Sequence, residues 1–274
     1  MMTRYFRVPE GFPNYAYLSQ VQQALAIKTG VEYWRTLRPV CMGALYWQLN
    51  DNWPVCSWSS IDHGGKWKLL NHAARRFYAP LMAVAFRKDP EQVELWVVND
   101  HLEARNVEVS FEVRSFDGKV LNAEKLKKRI AAESSVKIKQ AAVSSLADDR
   151  GAAFVFIRMK SEDGVYENVL FLDHPKRCAL GDADISFKVG EDKEGLFVTL
   201  ESDKPAFYVS VETMGADGEF DDNMIALMPG SQRKLRFIPR QLPQSVFPGH
   251  KKQSLVKAAL EKTITIRHLR GTYS

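Results

Sequence analysis

The stretch GALYWQLNDNWPVCSW, Gly43 to Trp58, decides how the beginning of the chain is read. Its head belongs to a short continuous apolar run, Cys41 to Trp47 (CMGALYW), which has the character of a strand buried on both faces of a parallel sheet. Upstream, Leu18, Val21 and Leu25 and, beyond Lys28 at the next position of the series, Val31 and Trp34 follow a three-to-four-residue spacing, which predicts one long amphipathic helix over Tyr15–Leu37, with Pro39 ending it. Downstream, beyond a loop carrying Pro54, Asp62 and the pair Gly64–Gly65, helical spacing returns over Trp67–Tyr78 through Leu69, Leu70, Ala73 and Phe77, until Pro80. Helix, strand, helix is α/β grammar, but a single strand between two helices does not complete an α/β domain.

After Pro80 the apolar period changes from about 3.6 to 2. Val93–Val98, Val107–Val113, Val136–Ile138, Ala153–Arg158 and Glu167–Leu172 read as short strands separated by turn signals such as Asn99-Asp100 and Asp117-Gly118. A second series follows His174-Pro175: Ile185–Val189, Leu196–Leu200, Ala206–Glu212, Ile225–Leu227, Arg233–Ile238 and Thr263–Arg267. Two successive all-β domains of sandwich type fit this spacing. Gln241–Lys252 reads as an exposed loop, and Ser254–Leu260 as one or two helical turns before the last strand.

Length and composition narrow the function classes. A chain of 274 residues suits two or three domains, and 45% hydrophobic residues suffice for real cores. The net charge of +5 is modest, and basic residues are interspersed with carboxylates outside the short runs Lys125–Arg129 and His250–Lys252, so nucleic acid is not an expected partner. Cys41, Cys56 and Cys178 have no CxxC spacing, which speaks against a disulfide framework and against zinc. No export signal is visible in MMTRYFRVPEGF and no apolar run approaches the ~20 residues of a membrane span, so the expectation is a soluble, cytoplasmic chain without a membrane partner.

The chemistry-bearing residues cluster where the fold reading began. Trp47, Trp53 and Trp58 surround Gln48, Asn50 and Asp51, and a pyranose needs that combination: flat C–H faces stack on aromatic rings while hydroxyls meet short amides and carboxylates. Tryptophan serves cores equally well. Elsewhere the structural readings prevail. His63 and His72 lack a nearby third metal ligand, Asp62 before Gly64-Gly65 reads as a turn residue, and Gly215–Asp222 (GADGEFDD) lacks the alternating ligands and closing glutamate of a calcium loop, which leaves a hairpin turn. Arg75-Arg76 belongs to the polar side of its helix.

The run LYWQLNDNWPVCSWSSID, Leu45 to Asp62, followed by KWKLLNHAARRFYAPL, Lys66 to Leu81, resembles the last βα unit of the catalytic barrel in β-mannosidases of glycoside hydrolase family 2. The helix YLSQVQQALAIKTGVEYWR, Tyr17 to Arg35, resembles the helix preceding that strand, and FDDNMIALMPG, Phe220 to Gly230, resembles a motif of their last immunoglobulin-like domain. The resemblance implies an α/β plus all-β chain: the end of a (β/α)8 barrel over residues 1–80, then two immunoglobulin-like β-sandwiches over 81–175 and 176–274. It implies a retaining exo-β-mannosidase that removes terminal β-D-mannose from oligosaccharides without a cofactor or metal. Trp47 would wall the subsite of the terminal mannose, with Asn50, Asp51 and Trp53 shaping its loop or rim, at the C-terminal end of a barrel strand.

Retaining hydrolysis needs two carboxylic acids about 5–5.5 Å apart. In the family that this chain resembles, the acid/base glutamate follows an asparagine at strand four and the nucleophile lies in a Ser-Glu-Phe-Gly-like motif at strand seven. Neither motif is in this sequence, and Glu10, Glu32, Asp51 and Asp62 match neither role. No catalytic residue is therefore expected in this chain, which should be inactive alone and would partner the N-terminal part of a parent enzyme. Two rival readings are an exo-glucosaminidase or related family 2 glycosidase, and a noncatalytic carbohydrate-binding or structural module.

Overall fold

The long helix forms where its periodicity placed it, over Gly11–Thr36 (α2), following a short helical turn at Met2–Tyr5 (α1). Tyr17, Leu18, Val21, Ala24 and Val31 are its buried stripe, whereas Trp34 is left 45% exposed. The computed structural model describes residues 1–240 and 249–274 and divides into two compact units. Met1–Val8, Gln22–Leu49 and Ala73–Leu180 make the first; Pro9–Val21, Asn50–His72 and Gly181–Ser274 make the second.

In the first unit, strands β1 (Leu81–Asp89), β2 (Gln92–Asn99), β3 (Arg105–Ser115), β4 (Val120–Ile130), β5 (Ser134–Ala142), β6 (Ala153–Ser161) and β7 (Gly164–Phe171) build two antiparallel sheets, with a helical turn at Val143–Leu146 (α4). The sheet orders are β1-β2-β5 and β4-β3-β6-β7. Leu81, Ala83, Leu95 and Val97 of one sheet meet Val109, Val113, Val155 and Ile157 of the other in a single core. Strand β3 alternates buried and half-buried residues, as a sheet with one face in the core must. Strands β1 and β2 are buried on both faces: Met82, Val84 and Val98 form a second cluster with Phe86, Trp96 and Tyr166.

The C-terminal half of α2 is tied to this sheet by polar side chains. Arg35 donates to the carbonyls of Phe77 (2.5 Å) and Ala79 (2.9 Å) and to the Asp100 carboxylate (2.6 Å), while its own carbonyl accepts from Ser135 Oγ at 2.7 Å. Glu32, 3% exposed, accepts from Lys28 Nζ at 2.7 Å and from Asn168 Nδ2 at 2.9 Å, so its charge is buried with partners.

The second unit repeats the sandwich with β8 (Ile185–Asp192), β9 (Gly195–Ser202), β10 (Ala206–Thr213), β11 (Gly218–Phe220), β12 (Ile225–Leu227), β13 (Arg233–Pro239), the helix Gly249–Thr263 (α5) and β14 (Ile264–Arg267). Its sheets run β11-β13-β9-β8 and β12-β10-β14, around Val198, Leu200, Leu235, Val209, Val211 and Leu260. A register shift between Ala206 and Val209 puts Tyr208 at φ 56°, and its carbonyl accepts from Tyr17 Oη at 2.5 Å.

Several sequence expectations are corrected. No strand forms over Cys41–Trp47: the run has no ladder with any strand among the described residues, and Met42, Leu45 and Trp47 are 61%, 94% and 77% exposed. An extended segment becomes a strand only when neighbouring backbone satisfies its N–H and C=O groups. The segment Gly215–Asp222 is more than a turn, since Gly218–Phe220 pairs with β13. Of the loop expected at Gln241–Lys252, residues 241–248 lie outside the described residues, and from Gly249 the chain is already helical. Among the described residues no helix is long and apolar enough to cross a membrane.

Candidate functional site

The loop from Asn50 to Lys68 is closed by its own backbone before the third helix, α3 (Leu69–Phe77), begins. Asn50 and Ile61 form a parallel bridge, Ile61 and Trp67 an antiparallel one, and Asp51 N donates to Ile61 O at 3.0 Å. Asp62 acts as the expected turn residue. Its Oδ1 accepts from Lys66 N at 2.8 Å, and Gly65 supplies the left-handed conformation (φ 81°) that the turn requires.

Asp51 is the hub of this loop. Its side chain accepts from Ser57 Oγ at 2.5 Å and from Lys68 Nζ at 2.9 Å, and Lys68 reaches Ser59 Oγ at 2.9 Å. Hydrogen bonds from Ser57, Ser59 and Lys68 hold the carboxyl at a pKa of about 2, so it is ionised at neutral pH and has no proton to give as a general acid. The residue is only 5% exposed. Asp51 therefore shapes the loop. Lys68 was not singled out by the sequence reading; its one signal was a cation opening the helix that follows a serine-rich turn.

The aromatic residues have the opposite character. Trp53 and Trp58 are 60% and 61% exposed, and Asn50 is exposed with its Nδ2 donating to Asp51 O at 3.2 Å. Asn50, Asp51 and Trp53 belong to the second unit and are brought together by the loop. Trp47 belongs to the first unit, where its neighbour Tyr46 stacks on Tyr78 with ring centroids 6.3 Å apart, and Tyr78 Oη donates to Ala44 O at 2.9 Å. The segment is thus held through Tyr46 and Ala44, while the Trp47 indole faces solvent. Its peptide bond to Gln48 is cis.

Other titratable groups are structural. His72 is buried with its ring 5.2 Å from that of Trp67, and burial pushes the Cys178 thiol up to about 12, which makes it unreactive. Among the described residues no cluster of His, Cys, Asp and Glu is placed to hold a metal ion.

Comparison with known proteins locates both sandwiches in one lineage. Residues 91–177 match the family model described as a mannosidase Ig/CBM-like domain, and residues 180–272 match an Ig-fold domain of mannosidases. A β-mannosidase of Capra hircus is 29% identical over 279 residues, spanning 96% of this chain and 30% of the relative. The crystal structure of a β-D-mannosidase from Dictyoglomus thermophilum superposes with a TM-score of 0.81 at 26% identity, over 97% of this chain and 31% of that one. An exo-chitosanase of Amycolatopsis orientalis, 16% identical with a TM-score of 0.63 over 94% of this chain and 34% of its own, shares the fold alone. The chain thus spans about 30% of the length of the caprine relative.

Proposed function

With this chain belonging to the β-mannosidases of glycoside hydrolase family 2 and corresponding to their C-terminal part, we propose that it supplies one wall of a pocket for a terminal β-D-mannose, in an enzyme whose two catalytic carboxylates lie on other residues. The observation that carries this reading is the exposed apolar run in the first unit. Val40, Met42, Leu45, Trp47 and Leu49 are 90%, 61%, 94%, 77% and 58% exposed, a surface that soluble proteins cover or use. Residues 1–80 are proposed as the last βα unit of a (β/α)8 barrel, in which Cys41–Trp47 becomes a strand once neighbours pair with it. Residues 81–175 and 176–274 are proposed as the two sandwiches that follow.

On this reading Trp47 stacks on the sugar as its ring distorts toward an oxocarbenium-like transition state. Asn50 and Trp53 form the rim, and Asp51 holds the loop through Lys68 and the two serines. Retention requires an acid/base and a nucleophile about 5–5.5 Å apart; neither Asp51, ionised and turned into its own loop, nor Glu32, buried under Lys28 and Asn168, is available for those roles.

The test is complementation. A polypeptide carrying the earlier barrel units of a family 2 β-mannosidase, mixed with this chain, should hydrolyse an aryl β-D-mannoside. Loss of one stacking wall is worth on the order of 1–3 kcal/mol, so Trp47→Ala should lower kcat/KM of the mixture roughly ten- to hundredfold with an unchanged melting temperature. Equal activity of the Trp47→Ala mixture, or a complex that forms without hydrolysis, would contradict the proposal.

A further inference from the structure

A second combination, of a partly exposed indole with an unpartnered buried hydroxyl, lies within the second unit. A cleft of about 160 Å³ opens between the Lys66–Leu69 segment and strand β10, lined by Gln20, Lys66, Trp67, His72, Ser210 and Glu219 among others. Trp67 is 36% exposed, and its indole is backed by the His72 ring at 5.2 Å with a tilt of 60°, which fixes the plane it presents. Two backbone contacts hold the walls in place: Trp67 N donates to Glu219 Oε2 at 3.1 Å, and Leu69 N to Gln20 Oε1 at 3.2 Å. Asn223, also in the lining, spends its side chain on Val211, accepting from its N at 2.7 Å and donating to its O at 3.2 Å, so it acts as a brace.

Ser210 makes the cleft more than a surface dent. The residue is 2% exposed, and its Oγ, buried in the lining, has no hydrogen-bond partner among the described residues. A buried hydroxyl in a native fold is normally satisfied, and one that is not implies an occupant with a donor or acceptor to offer. The lining contains one ammonium, Lys66, and two carboxylates, of which Glu212 is paired with Arg267 at 2.8 Å and Glu219 accepts from Trp67 N; this disfavours an anion and suits a neutral polyhydroxyl occupant. The volume lies below the ~300–1,000 Å³ of drug-sized pockets and so admits a single small ring.

We infer that this cleft is a binding site for one hexopyranose unit, stacked on Trp67 and hydrogen-bonded by Ser210. The inference rests on the glycosidase reading only for the choice of sugar as ligand class; its residues are independent of Trp47. It makes the second unit, through Gln20 and residues 66–72 together with its sandwich, a sugar-holding element able to retain a saccharide without hydrolysing it.

The experiment titrates methyl β-D-mannoside into the whole chain and follows the tryptophan indole N–H resonances by 1H–15N NMR. The expected result is a saturable shift of the Trp67 resonance, identified by its absence in Trp67→Phe, with a Kd on the order of millimolar. Trp67→Ala should weaken binding roughly tenfold or more. Ser210→Ala removes a hydroxyl that bonds to no other described residue, so it should leave the melting temperature unchanged or raised while weakening binding several-fold; it keeps the test valid if Trp67→Ala fails to fold. Trp47→Ala should leave this Kd within about twofold. A cleft that holds only ordered water, with no saturable shift at Trp67, would overturn the inference. So would binding that survives Ser210→Ala and Trp67→Ala unchanged. Binding lost in Trp47→Ala but kept in Trp67→Ala would overturn it as well, while leaving the Trp47 reading in place.

Discussion

Two short apolar segments of the first unit, Cys41–Trp47 and strand β2, have similar hydrophobic character and opposite fates. In β2, Leu95 and Val97 are fully buried, and the strand is paired on both sides, Leu95 with Ala85 of β1 and with Lys139 of β5. In the other segment Leu45 is 94% exposed and no ladder forms with any described strand. The difference teaches that apolarity selects burial only where backbone partners exist to satisfy the amide groups that must be buried with the side chains. The exposure of Leu45 and Trp47 supports the proposal that Cys41–Trp47 belongs to a sugar pocket completed by other residues.

The comparison can be broken most decisively by truncating each segment's leucine. Leu95→Ala should cost about 2–5 kcal/mol in urea denaturation, through lost transfer free energy and the cavity left behind. Leu45→Ala should change stability by no more than about 0.5 kcal/mol. Comparable losses at the two sites would mean that the 41–47 segment is buried in solution.

A smaller effect concerns the anchor between the helix and the β1-β2-β5 sheet. Arg35→Ala removes three charge-assisted contacts, to Phe77 O, Ala79 O and Asp100, and should cost about 2–3 kcal/mol. Arg35→Lys should fail to restore it, because one ammonium cannot reproduce the fork that spans all three acceptors. Full rescue by lysine would show that charge alone matters there.

Acid sharpens the contrast between the ordered loop and the unpaired segment. Asp51 has a folded pKa of about 2, below the ordinary aspartate value of about 3.9, so its contribution is fully present above about pH 4 and fades as pH falls toward 2. Amide protection factors over residues 57–62, corrected for the intrinsic pH dependence of exchange, should fall across that window while those of β2 hold. In Asp51→Asn the same amides should have lower protection factors already at neutral pH, and those factors should no longer change between about pH 4 and 2. An unaltered exchange profile would remove Asp51 from its role as the loop's hub.

How much of this was legible follows from the same physics. Strand β3 and helix α2 are each buried on one face, so their apolar residues recur with periods of 2 and 3.6, and both could be read from sequence. Strand β1, LMAVAF at its head, is buried on both faces, and β4, VLNAEKLKKRI, lies at a sheet edge exposed on nearly every residue; neither alternates, and neither was expected. The tryptophans and Asp51 stood out as a polar-aromatic cluster, but nothing local to Asp51 pointed to Lys68, seventeen positions on, as its counterion. The interleaving of residues 9–21 and 50–72 with the last sandwich was invisible for the same reason, since contacts distant in sequence leave no periodic trace.

As proposed above, this chain carries sugar-contacting surface without the carboxylate pair that breaks the glycosidic bond. The most direct measurement is hydrolysis of an aryl β-D-mannoside by the purified chain alone. Release at the rate of buffer is expected. Turnover that survives purification to homogeneity and disappears in Asp51→Asn or Glu32→Gln would contradict it.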